Sequence, residues 1–175
     1  MMSHLARTLA STLAAFAVVG ALVGCAPSPE PTPTPTGFAS EAEAFEAAEA
    51  TYRAYVDATN AQRMDPLHSP APESFLRGEL LESELEFDRQ LKAEVLSIVG
   101  ETVITDVEYA AIDANLTSAD VNICLDSSQT TIVDESGNDV TPSTREPITL
   151  ISTTVVWTPS GTAITSSETL KTGQC

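Results

Sequence analysis

Apolar and polar positions follow a helical period over much of the chain between Ser40 and Glu94. From about Ser40 to Ala61, apolar side chains recur every three or four residues and predict a first helix. Ser40 and Glu43 have the spacing of a capping box at its start. A second helix is expected from about Glu79 to Glu94, where leucines recur with the same period. The apolar positions that mark the two helices are Phe45, Ala48, Tyr52, Tyr55, Val56, Leu80, Leu81, Leu85, Phe87, Leu91 and Val95.

After Leu96 the pattern changes to an alternation rich in Thr, Val and Ile, which is typical of β-strands. Asp106 and Glu108 alternate on one strand face with Ile104 and Ile112, so a carboxylate could be buried there. Helices followed by strands predict an α+β fold, with N-terminal helices packed on a curved antiparallel sheet of about four strands. The expected strands are Ser97–Asp113, with a bend at Gly100, then Ser118–Asp126, Pro147–Thr158 and Thr162–Leu170.

The apolar run near the N-terminus ends at a cysteine. No charged residue lies between Thr8 and Gly24, a stretch that is short for a membrane span and typical of a secretory signal peptide. Leu22-Val23-Gly24-Cys25 resembles the lipobox of bacterial lipoproteins. This resemblance implies that residues 1–24 are removed and that Cys25 carries diacylglycerol and fatty acyl chains such as palmitate. An ordinary signal anchor with an incidental cysteine is the alternative.

Prolines alternate with other residues from Ala26 to Thr36, directly after the cysteine. Alternating prolines favour an extended polyproline II conformation and cannot form a core. We therefore interpret residues 25–37 as a lipidated cysteine followed by a semi-rigid stalk, and residues 38–175 as a single globular domain. A docking site for a proline-binding module is the alternative role of the stalk.

The chain is strongly acidic. It has 25 acidic and 8 basic residues, which give a formal net charge of −17. Such a surface repels phosphate groups and excludes direct binding of nucleic acid. Solubility is the simpler explanation of the charge, and a dedicated cation-binding role is the alternative.

Two cysteines remain if Cys25 is lipidated. Cys124 lies in an expected strand and Cys175 is the last residue of the sequence. Cysteines of exported chains usually form disulfides, so we expect these two to be bonded. Two separate free thiols are the alternative. A redox pair with the Cys-x-x-Cys spacing is absent from the sequence.

Other residues give little support for catalysis or metal binding. His68 is the only histidine after the signal peptide, and it lies in a proline-rich loop. Asp134–Asp139 is acidic but lacks the regular ligand spacing of an EF-hand, so a polar turn is favoured over a Ca²⁺ site. We assign no catalytic residue, no metal ligand and no cofactor.

The order of the elements resembles the NTF2-like (cystatin-like) cone fold. The stretches "EAFEAAEATYRAYVDA" and "VNICLDSSQTTIVDESGNDVTP" are similar to segments of lipoproteins from Gram-positive actinobacteria. The resemblance covers about Ser40–Cys175 and implies a pocket between the helices and the sheet. Plain core packing of the aromatic residues is the alternative to such a pocket. The residues expected to line it are Tyr52, Tyr55, Tyr109 and Trp157.

These observations favour a lipid-anchored, non-enzymatic binding or accessory domain on the outer face of the cytoplasmic membrane. Its expected partners are the membrane itself, through Cys25, and an envelope protein, a cell-wall component or a small apolar ligand. An NTF2-like enzyme that uses a carboxylate in the cone is the main alternative. A purely structural subunit of a membrane complex is a third hypothesis.

Overall fold

The computed structural model describes residues 36–172 and residue 175. The predicted signal peptide, the lipobox cysteine Cys25 and almost all of the predicted stalk lie outside the described residues. Neither α-helix in the described part is long and apolar enough to cross a membrane. The elements follow in the order α1 (Glu41–Met64), the short 3₁₀ helix η1 (Pro72–Phe75), α2 (Gly78–Ala93), β1 (Ser97–Val99), β2 (Val103–Ile112), β3 (Ser118–Asp126), β4 (Thr131–Val133), β5 (Ile148–Thr158) and β6 (Gly161–Thr172).

The predicted α+β fold is confirmed. Four strands form an antiparallel sheet in the order β2-β3-β5-β6, and this sheet is open because β2 and β6 are its edges. Val121 of β3 lies between Tyr109 of β2 and Thr153 of β5, which fixes the register of the central strands. The strands β1 and β4 form a separate two-stranded sheet.

The single strand expected over Ser97–Asp113 is broken at Gly100. This glycine has a φ of 88°, in the left-handed region, and a Cβ added there would lie 1.9 Å from the carbonyl oxygen of Gln129. Only glycine fits so close to another backbone segment. The break lets β1 leave the main sheet and pair with β4, with Ile98 opposite Ile132.

Helix α1 covers one face of the main sheet. Ser40 caps its start through a hydrogen bond from the Glu43 N–H to Oγ at 3.2 Å, as the capping box predicts. The return bond runs from the Ala39 N–H to Glu43 Oε2 at 3.1 Å, one residue earlier than in the usual box. Apolar burial holds the layers together, at about 1.5–3 kcal/mol for each large aliphatic side chain. The core residues include Ala44, Ala48, Tyr52, Val56, Leu76, Val121, Ile123, Ile151, Val155 and Ile164.

Helix α2 packs against β6, an edge strand of the sheet, and is packed much more loosely than α1. The backbone of η1 leads into it along this edge, where the Arg77 N–H donates to the Ile164 carbonyl at 2.9 Å. None of the residues of α2 is fully buried. Leu85 and Phe87, which the leucine pattern placed among the apolar positions of this helix, are 42% and 45% exposed. The half-buried positions of α2 are Leu80, Leu81, Glu84, Asp88 and Leu91.

Candidate functional site

A cleft of about 260 Å³ lies between the C-terminal half of α1, η1, α2 and β1. We call it the α2 cleft. A smaller cavity of about 120 Å³ shares Tyr55, Leu76 and Glu84 with it and extends to the face of the sheet near Ile151. Half of the residues that line the α2 cleft are apolar or aromatic, and the other half are polar or charged; the first group is Tyr55, Pro72, Leu76, Phe87, Leu91 and Ile98.

Three carboxylates line the α2 cleft. Glu84 and Asp88 are one helical turn apart on α2, and Glu73 faces them from η1. Burial raises the pKa of Glu84, and the negative charges of Asp88 and Glu73 raise it further. Burial also raises the pKa of Asp88. The positive charge of Lys92 lowers this pKa, whereas the negative charge of Glu73 and a hydrogen bond with Glu73 raise it. The cleft therefore holds carboxylates where burial and mutual repulsion disfavour their charged form.

The carboxylates of the cleft have no ion-pair partner among the residues that the structure describes. The ion pairs in that part join Arg53 to Glu49 and Arg89 to Glu86, on exposed helix surfaces. Arg63 lines the cleft, but its Nη1 donates at 3.2 Å to the Asn60 side chain and to the Gly100 carbonyl and Thr102 hydroxyl of the β1–β2 connection.

No metal site is formed here. Within residues 36–172 and 175, no group of three or more histidine, cysteine or acidic side chains is placed to hold a metal ion.

Tyr52 and Tyr55, two of the predicted pocket residues, lie at these cavities. Their rings meet edge to face, with centroids 5.6 Å apart, because they follow each other closely on the buried face of α1. Burial raises the pKa of both hydroxyls, and the nearby Glu84 adds to the shift at both. Both tyrosines are therefore neutral at physiological pH and available as hydrogen-bond donors or acceptors.

Tyr109 and Trp157, the other two predicted pocket residues, lie elsewhere. Tyr109 is on the edge strand β2, where its ring stacks on Phe45 with centroids 4.7 Å apart and its hydroxyl donates to Glu49 Oε2 at 3.2 Å. Trp157 is partly buried against the core near the end of β5. Neither side chain lines the α2 cleft.

The expectation of a buried carboxylate on β2 is wrong. Asp106 and Glu108 are exposed, on the sheet face opposite α1. A register shift between Ile104 and Asp106 inserts an extra residue into β2, so the side chains of Ile104 and Asp106 lie on opposite faces of the sheet. A second register shift follows Tyr109, so Ile112 and Glu108 also lie on opposite faces of the sheet.

Cys124 and Cys175 lie at disulfide distance, with their Cα atoms 5.6 Å apart. Cys124 is buried on β3, on the same sheet face as Asp106 and Glu108. The bond joins the end of the sequence to a central strand and closes a separation of 51 residues.

The remaining sequence motifs have local structural roles. The backbone N–H of His68, in the loop after α1, donates to the Asp65 carbonyl at 2.9 Å, and His68 does not line the α2 cleft. In the segment 134–139, the Asp134 carboxylate accepts the N–H groups of Ser136 at 2.8 Å and Asn138 at 2.9 Å, which closes a polar turn.

Sequence reasoning missed Glu73, Glu84 and Asp88. The signal was present, because Glu84 and Asp88 occur at positions where the helical period places the inward face of α2. Acidic residues in a helix usually belong to the solvated face, and nothing in the sequence reveals that Glu73 approaches from another element.

The comparisons with known proteins indicate the fold only. The chain matches no known protein family, and no curated protein sequence matches it. It is similar to a solved structure, the intermembrane space region of the chloroplast protein ARC6, with a TM-score of 0.50. The two are 14% identical, over 73% of this chain and 97% of that one. At this identity the likeness establishes a common α+β fold and carries nothing about activity.

Proposed function

We propose that this chain is a lipid-anchored binding domain of the cell envelope whose binding site is the α2 cleft. The observation that carries the proposal is an open cavity of about 260 Å³, whose wall combines apolar side chains with polar and charged groups. Concave apolar sites with a few polar groups are the usual form of binding sites in proteins. The loosely packed α2 supports this role, since elements that adjust to a ligand come from the less stable parts of a fold.

The anchor rests on the sequence. The uncharged run up to Gly24, the lipobox ending at Cys25 and the proline-rich stalk support placement on the outer face of the cytoplasmic membrane, in a Gram-positive actinobacterium. The Cys25→Ala variant of the full chain is expected to leave the membrane fraction or to keep its signal peptide. A processed Cys25→Ala variant that still sediments with membranes would contradict the anchor.

The NTF2-like assignment is part of the same proposal. A long helix across one face of a four-stranded antiparallel sheet supports it, as does a cavity between helices and sheet.

Site-specific crosslinking in cells that express the full chain tests the binding site. The photoreactive residue p-benzoylphenylalanine replaces Phe87, at the cleft, and in a matched variant Val140, which is similarly exposed at 43% but lies in a loop away from the cleft. Irradiation should give a discrete adduct at position 87 and none at position 140. Equal adducts at both positions, or none at position 87, would contradict binding in the cleft.

An NTF2-like enzyme is the second candidate, and one observation favours it. Glu84 lies in an accessible cleft beside Tyr55, and burial raises its pKa, as at many acid–base catalysts. A turnover that Glu84→Gln abolishes, while ligand binding persists, would favour the enzyme over the binding domain.

A further inference from the structure

We infer that the α2 cleft docks a basic segment of a protein partner, with the cationic end of a lysine or arginine side chain held among Glu73, Glu84 and Asp88. This inference rests on the proposed function, because it names the partner chemistry of the same site.

The wall of the cleft matches the stem of such a side chain. Lysine and arginine bury their aliphatic carbons along apolar surface and extend the charged end to a polar group. The half-buried Leu91 and Ile98 provide the apolar surface, and Phe87, which is 45% exposed, offers an aromatic ring to a cation. An anionic or purely apolar segment would leave the carboxylates without a partner.

The carboxylates of the cleft determine the sign of the charge that the partner carries. Glu84 and Asp88 belong to one helix and Glu73 to another element, so the fold brings like charges together across the cleft. None of the three is in an ion pair within the described part of the chain. Arg63 also lines the cleft and is positively charged, but its Nη1 donates to neutral groups of Asn60 and the β1–β2 connection, and it forms no ion pair with the three carboxylates. A cation from outside would relieve the repulsion and regain the solvation that burial removes.

The size of the cleft favours a side chain of a larger partner over a free small molecule. Its volume of about 260 Å³ is below the roughly 300–1,000 Å³ of typical small-molecule sites, and it is open to solvent. A peptide segment would place one or two side chains in the cleft and cover the exposed Phe87 at its rim.

The charge of the whole chain points to the same partner. A formal charge of −17 attracts a basic protein over long range and repels a second copy of this chain. The same charge repels nucleic acids and anionic lipid headgroups, so a basic protein segment is the macromolecular partner that fits both the cleft and the surface.

A peptide series with a matched charge change tests the inference. The probes are fluorescent Gly-Leu-Arg-Leu-Gly peptides with blocked ends, and the same peptide with the neutral isostere citrulline in place of arginine. Binding to the full chain, purified in neutral detergent, is measured by anisotropy at low salt. We expect the arginine peptide to bind about tenfold more tightly than the citrulline peptide.

Isosteric variants localise the effect. Glu84→Gln and Asp88→Asn should each weaken binding of the arginine peptide by about fivefold, because each removes one carboxylate near the cation. Glu82→Gln is the matched control, since Glu82 is exposed on the outward side of the same helix and does not line the α2 cleft. Two cleft variants are used so that one of them still tests the inference if the other fails to fold.

Each contrary outcome overturns the inference in a distinct way. Equal affinity for the arginine peptide and the citrulline peptide would show that binding does not require a cation. If Glu82→Gln weakened peptide binding as much as the cleft variants do, the peptide would be held by general attraction to the acidic surface and not by docking in the cleft. Binding of hexylammonium, but of neither peptide, would replace the protein partner by a small amine. In all three cases the adduct at position 87 still decides whether the cleft is a binding site, so the two proposals fail separately.

Discussion

Asn60 and Thr102 hydrogen-bond to each other in both directions. The Asn60 Nδ2 donates to the Thr102 carbonyl at 2.8 Å, and the Thr102 N–H donates to Asn60 Oδ1 at 2.9 Å. The side-chain amide thereby takes the place of a neighbouring strand at the point where β1 turns into β2. Because Asn60 belongs to α1, the pair fixes the helix to the connection that follows β1, the strand whose Ile98 lines the α2 cleft.

Asn60→Ala should lower the free energy of unfolding by about 1–3 kcal/mol, because it leaves the partly buried backbone groups of Thr102 without partners. Urea denaturation measures the change. Asn115→Ala is the control, since it removes an amide from an exposed turn. A similar loss of stability in both variants would show that the pair with Thr102 has no special role.

Glu84→Gln should stabilise the fold at neutral pH, by less than about 1 kcal/mol because Glu84 keeps contact with water that screens its charge. The pKa of Glu84 is raised in the folded state, so its contribution to stability is present at acid pH and is lost as the pH rises through that pKa. The glutamine side chain does not titrate, so its contribution to stability does not change with pH. Thermal unfolding between about pH 4 and pH 8 compares the two proteins, with Glu82→Gln as the control. A glutamine variant less stable than the parent at neutral pH would mean that Glu84 has a stabilising partner.

The contribution of Asp113 to stability should depend on pH in the opposite sense to that of Glu84. Its carboxylate accepts the N–H groups of Ser118 and Thr117, each at 2.6 Å, and that of Asn115 at 3.0 Å. Led by the bond from Ser118, these hydrogen bonds lower the pKa of Asp113 to about 2. A lowered pKa stabilises the fold above the unfolded-state value near 4, and this stability is lost as the pH falls toward about 2.

Asp113→Asn should therefore lower the melting temperature at pH 7 and flatten its decline between about pH 4 and pH 2. Asp57→Asn, at an exposed position of α1, removes the same charge and is the control. If NMR titration gave Asp113 an ordinary aspartate pKa, the proposed role of its hydrogen bonds would be wrong.

The Cys124–Cys175 bond should contribute substantially to stability. Closing a loop with a sequence separation of 51 residues corresponds to about 4 kcal/mol in the chain-entropy account. Cys175→Ser should lower the free energy of unfolding by about 2–4 kcal/mol, and reducing agent should lower that of the parent protein by a similar amount. Mass spectrometry without reductant should find the parent protein two hydrogens lighter than its reduced form. Two alkylatable thiols in native protein would contradict the bond.

The fold could be predicted largely from local patterns. Helix α1 was expected from about Ser40 to Ala61 and spans Glu41–Met64, and β3 was expected from Ser118 to about Asp126 and spans Ser118–Asp126. These elements have a strong period and clear start and stop signals. The split of the first expected strand could not be derived, because it depends on the approach of Gln129 to Gly100 from a distant part of the chain.

The cleft could be predicted only in part. Tyr52 and Tyr55 were assigned to a pocket because they recur on the apolar face of a long helix. Tyr109 and Trp157 are aromatic as well, but Tyr109 lies on the edge strand β2 beside the N-terminal half of α1, and Trp157 lies near the end of β5, so neither lines the cleft at the C-terminal half of α1. Glu84 and Asp88 are informative only once the inward side of α2 is known, and its loose packing makes that side hard to infer from apolar spacing.

The absence of any fully buried residue in α2 has a consequence for amide hydrogen exchange. Helix α1 has six buried residues against the sheet, whereas α2 has none, so α2 can unfold locally while the sheet and α1 stay intact. Its amides then exchange with deuterium well before those of α1. Because α2 is one wall of the cleft, a bound partner slows exchange in this helix, which makes its amides a reporter of occupancy that requires no label and no knowledge of the partner.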